Sequence, residues 1–146
     1  MRVSWRGSRL LATFVITAAI TTASATARSV SESTDPTVLA KTLHSTNPTE
    51  AAAAAYWLGF KGRAAVPHIP RLIATLGDNR AAKPSAYRHD VPADSHSTPG
   101  EEAAAALARI GQPAVEPLIE ALRTSSSSVA RQNAAWALGQ IDKNSS

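Results

Sequence analysis

The chain has 146 residues with 15 Lys and Arg against 11 Asp and Glu, a basic sequence pI near 10.0, and no cysteine. The cysteine count excludes disulfide stapling and thiol chemistry, so stability has to come from packing. The basic pI concentrates at one end: Arg2, Arg6 and Arg9 lie in the first 27 residues, and without them 12 basic residues face 11 acidic ones. A nucleic-acid-binding role therefore loses its electrostatic support.

Residues 1–27 have the pattern of a secretory signal. A basic start precedes the apolar run Leu10 to Ile20, and Ala25-Thr26-Ala27 supplies small residues for cleavage before Arg28, with Ala23-Ser24-Ala25 as an alternative. The run is shorter than the roughly 20 residues a bilayer-spanning helix needs. Cleavage and a periplasmic or secreted location are expected, with no membrane span remaining. Residues 28–34 are polar and expected to be a flexible tether, and residues 35–146 form one domain.

Asp35-Pro36 is a helix start, and the short helix it opens can present Val38, Leu39 and Leu43 to the rest of the domain. Asn47-Pro48-Thr49-Glu50 and Thr98-Pro99-Gly100-Glu101 repeat one another: cap, first-turn proline, and a carboxylate three residues after the cap. Each opens onto an alanine run, Ala51 to Ala55 and Ala103 to Ala106. Alanine is the best helix former and allows neighbouring helices to approach closely. Trp57 and Trp136 are expected to supply core bulk among these small residues.

Second helices follow from apolar residues at helical spacing. One set is Val66, Ile69, Ile73 and Leu76 with Leu72 flanking, and the other is Val115, Leu118, Ile119 and Leu122. Pro70 either begins the first of these helices late or kinks it. Residues 77–97 lack periodicity and are expected to be an exposed loop or disordered. Ser128 is placed to cap a final helix from Val129 to Ile141.

These elements repeat. Leu107-Ala108-Arg109-Ile110 superposes on Leu138-Gly139-Gln140-Ile141 at an offset of 31 residues, and Leu58 lies 49 residues before Leu107 at an offset that also pairs Gly62 with Gly111 and Ala65 with Ala114. The 18-residue excess falls in the 77–97 insertion. Periods of this size mark stacked helix pairs. Val129, Arg131, Ala134, Ala135, Ala137, Leu138, Gly139 and Ile141, joined by Leu107, Ile110, Gly111, Pro113, Ala114, Val115, Pro117, Leu118, Ile119 and Leu122, resemble the HEAT-repeat family, in particular the short bacterial repeats of the phycobilisome lyase type. The resemblance spans roughly residues 46–141 and implies an all-α, right-handed solenoid of about two and a half repeats.

No catalytic constellation is found and no cofactor is implied, so the chain is not expected to be an enzyme. His89, Asp90, Asp94 and His96 are a conceivable metal cluster, but their spacing fits no closed site and they read more simply as a solvated loop. Glu101 and Glu102 are expected to compensate the helix dipole. Arg131 is expected to make a structural contact between repeats. With no second helix after it, the final helix is expected to expose Ala134, Ala137, Leu138 and Ile141. A protein-binding or self-association surface is therefore expected around Arg131, Trp136, Leu138 and Ile141, beside the concave face of the stack. The expected function is an exported, non-catalytic module for protein–protein interaction or assembly. The alternative, which the resemblance alone implies, is an accessory or lyase-type subunit acting on a chromophore or protein substrate.

Overall fold

A computed structural model describes residues 30–145. The signal-peptide expectation for residues 1–27 lies outside the described residues. Six α-helices follow one another among the described residues: α1 Pro36–Thr42, α2 Pro48–Leu58, α3 Ile69–Thr75, α4 Pro99–Ile110, α5 Val115–Thr124 and α6 Ser128–Asn144. Short 3-10 turns, Gly62–His68 and Gln112–Ala114, lead into α3 and α5. The result is an all-α solenoid in which α2, α4 and α6 pack side by side, with α3 and α5 behind them and α1 against α2.

Each expected start has a physical cap. Asp35 accepts from the Thr37 N–H at 2.8 Å and Asn47 from the Thr49 N–H at 2.9 Å. Thr98 and Glu101 form a reciprocal capping box, at 3.1 and 3.0 Å. In the first repeat Glu50 instead accepts from the Ser45 hydroxyl at 2.8 Å, so the two starts match in pattern but not in bonding. The last helix begins one residue earlier than expected, with Ser127 as its cap.

Helix α4 lies at the centre, against α2, α3 and α6. Ala103, Ala104, Ala106, Leu107 and Ala108 are all buried, as a helix surrounded on most sides requires. Among the described residues, the leucines Leu39, Leu58, Leu72, Leu76, Leu107 and Leu118 are completely enclosed. Each contributes about 1.5–3 kcal/mol of burial. Leu72, expected at the flank of its stripe, is completely enclosed beside the buried Ile69 and Leu76, while Ile73 is only partly buried, so the inward face of α3 centres on Leu72; the helix begins at Ile69 with Pro70 tolerated in its first turn. Val38 and Leu122 stay exposed, against expectation, at the margins of α1 and α5.

Two backbone details hold the repeats in register. Gly111 ends α4 at φ 80°, a left-handed conformation that favours glycine. Gly100 lets α4 start directly against the end of α3: its N–H donates to the Asp78 carbonyl at 2.9 Å, and a Cβ there would lie 2.6 Å from the Leu76 carbonyl oxygen. That same Leu76 oxygen accepts from the Asn133 amide of α6 at 2.8 Å, which joins three helices at one point.

Candidate functional site

The insertion at 77–97 folds onto the α2–α4 layer, which corrects the expectation of a solvated or disordered segment. Ala82, Pro84 and Tyr87 are buried, and an isolated antiparallel bridge pairs Ala82 with Ser97. Tyr87 packs with Ala52, Ala53 and Ala82, so the loop is seated on the alanine face of α2. At its base Arg80 is clamped by Asp78, at 2.6 Å, and donates to the carbonyls of Thr46 and Ser45 at 2.8 and 3.1 Å. These bonds replace the water that a polar loop would otherwise need.

The anchor of the loop is Glu102, 4% exposed on α4. Its Oε1 accepts from the Tyr87 hydroxyl and the Ser97 hydroxyl, each at 3.0 Å, with the Arg88 guanidinium 3.8 Å away. Glu102 is thus a buried, hydrogen-bonded carboxylate and not only a surface charge at the start of the helix, although it shares the first turn of α4 with Glu101. Burial, followed by the neighbouring Glu102 charge, holds the Tyr87 phenol well above its ordinary range, so it stays protonated and keeps donating. Burial acts to lower the Arg88 guanidinium, but its contacts with Asp90 and Glu102 outweigh this and raise it.

Between the folded loop, α4 and α6 lies a cleft of about 500 Å³, lined by Arg88, Ser97, Glu101, Glu102, Ala104, Ala105, Gln132, Asn133 and Trp136. Its floor is small and apolar, its rim carries amides and charges, and one wall is the Trp136 indole, 49% exposed. Such a surface can seat an apolar side chain and hydrogen-bond the chain that carries it. Trp136 is therefore not core filler. Trp57 is partly buried against the core and packs edge-on to Tyr56, with ring centroids 4.9 Å apart.

The other residues expected at the interaction surface separate. Ile141, together with Ala134 and Ala137, is buried, and Leu138 is partly buried against the same core. The expected apolar open face is absent because α6 turns that stripe back onto α4 and α5 and presents the opposite side, with Gln132 and Trp136, outward. Arg131 donates to the Ser125 carbonyl at 2.7 Å, bracing the turn that joins α5 of one repeat to α6 of the next. His89, Asp90, Asp94 and His96 are exposed; Asp90 is engaged by Arg88, and among the described residues no group of three or more side chains is arranged to hold a metal ion.

Sequence reasoning does not single out Tyr87 or Arg88, because the loop around them has no periodicity, and it gives Glu102 only a helix-dipole role. One signal was present: an aromatic residue in an otherwise polar insertion, opposite an alanine-rich helix face.

No curated protein and no solved structure matches the chain. Residues 94–146, which contain α4, α5 and α6, match the family model for HEAT repeats, whose general role is protein–protein interaction. That match and the helical stack support a HEAT-repeat architecture for the part of the chain that contains α4, α5 and α6.

Proposed function

We propose that the chain is an exported, non-catalytic protein-binding module that seats a segment of a partner protein in the cleft between α4, α6 and the folded insertion. The observation that carries this reading is the half-exposed Trp136 on the wall of a small-residue cleft, since aromatic side chains beside such a cleft serve as binding hot spots. A non-catalytic role is supported by the structural use of Glu102, the buried carboxylate at this site, whose Oε1 accepts from the Tyr87 and Ser97 hydroxyls and so fastens the insertion to α4. Export is supported by the basic start, the Leu10 to Ile20 run and the small residues at Ala25 and Ala27.

The test is site-specific photo-cross-linking in the native host, with a benzophenone amino acid at position 136 or at the remote exposed His44, followed by fractionation. A discrete adduct formed from position 136 alone, on a chain found outside the cytoplasm and shortened to begin near Arg28, is the expected result. Equal labelling from both positions would remove the cleft as the binding site, and a full-length cytoplasmic chain would remove export.

A further inference from the structure

Beside the cleft, the guanidinium of Arg109 of α4 lies over two aromatic rings. Its guanidinium carbon lies 4.5 Å from the Phe60 ring centroid and 5.3 Å from that of Tyr56, while Arg88 sits 5.2 Å from Tyr56. Gly59 leaves the room for this: a Cβ there would come within 3.3 Å of Arg109 Nη1. The two arginines differ in their ion pairing. Arg88 has Asp90 and Glu102, whereas among the described residues no carboxylate lies within ion-pair distance of Arg109 and no hydrogen bond engages its guanidinium. Arg109 remains exposed, and so does Phe60 at 52%. Burial beside the rings lowers the guanidinium below its ordinary range and is only partly offset by the more distant Glu102 charge, so an added anion in direct contact would restore what the charge has lost.

Arg109 lies four residues, about 6 Å of helix rise, beyond the cleft-lining Ala105 and shares the Tyr56 ring with the cleft-lining Arg88, so its charge adjoins the Trp136 cleft. Resting on the reading of that cleft as a protein-binding site, we propose that its partner is an acidic segment. A side-chain carboxylate, from aspartate or glutamate, would pair with Arg109 while an apolar side chain about two positions away enters the cleft against Trp136. The two ring contacts restrict the guanidinium before binding, which reduces the entropy lost when it pairs with a carboxylate, a pairing that can be bidentate. A single carboxylate is the matching charge, because the neighbouring guanidinium of Arg88 is already engaged; a phosphate would call for a cluster of free cations.

The test is selection of a random peptide library displayed on phage against the immobilised full-length chain, with Arg109→Gln, Phe60→Ala and Trp136→Ala as parallel baits of matched far-UV circular dichroism. The expected result is enrichment of peptides carrying Asp or Glu about two positions from an aliphatic or aromatic residue. Their affinity should fall at least about tenfold on Arg109→Gln and on Trp136→Ala, as for a hot-spot contact. Enrichment of neutral or basic peptides, or enriched peptides indifferent to Arg109→Gln, would overturn the acidic partner. If those peptides still require Trp136, the protein-binding reading of the cleft survives; if they require neither residue, or if nothing is enriched, both fall.

Discussion

The Tyr87 hydroxyl donates to Glu102 Oε1 at 3.0 Å, fastening the middle of a long insertion to the central helix of the stack. This bond, with the Ser97 hydroxyl on the same oxygen, converts the insertion into one wall of the cleft.

Removing that donor should loosen the loop without unfolding the helices. Tyr87→Phe leaves a buried carboxylate with one donor fewer and should cost about 1–3 kcal/mol in urea unfolding. Limited trypsin digestion should distinguish the two proteins at Lys83 and Arg88: slow cleavage in the native chain, faster in the variant. Equal rates would mean that the hydroxyl does not hold the loop.

Glycines at 100 and 139 should respond in opposite directions to alanine. At Gly100 the new Cβ would meet the Leu76 and Asp78 carbonyl oxygens at 2.6 and 2.9 Å, so the start of α4 must shift, at a cost of about 2 kcal/mol or more. At Gly139, inside α6, nothing lies within 4 Å, and alanine should add about 0.5–1 kcal/mol of helix stability. Paired thermal melts would check both signs.

Much of the fold was legible because capping and periodicity are local properties. Asp35, Asn47 and Thr98 cap the helices they were expected to cap, and the alanine runs occupy the close-packed layer. The faces were harder to read. Leu72 lies at the centre of the inward face of α3 and not at its flank, and the inward turn of α6 hides Ile141 while leaving Trp136 outside, facings that the repeat offset alone does not settle. The site was least legible of all, because Tyr87 and Glu102 meet only through tertiary folding of a loop without a period.

Acid should weaken the base of the insertion. The side-chain hydrogen bond from Arg80 lowers the Asp78 carboxyl below its ordinary 3.8. A depressed folded-state pKa gives stability that is present above the unfolded value and lost as pH falls through the folded one. Unfolding midpoints should therefore drop below about pH 4, and Asp78→Asn should flatten part of that drop, by a modest amount because Arg80 is solvent-exposed. An unchanged acid limb in the variant would show that the pair does not contribute.

Asn133 ties α6 to the end of α3 and also lines the cleft. Asn133→Ala removes the donor to the Leu76 carbonyl and should cost about 1–2 kcal/mol, with a matching rise in amide exchange at the start of α6. Exchange unchanged at Ala130 and Ala134 would count against this role.

The central claim is that a partner occupies the cleft between α4, α6 and the insertion. Hydrogen–deuterium exchange of the full chain with and without its cross-linked or selected partner tests it most directly. Protection is expected in peptides covering residues 82–97, 101–109 and 132–136, with α3 and α5 unchanged. Protection confined to α3 and α5, with the Trp136 region exchanging as in the free chain, would contradict the account.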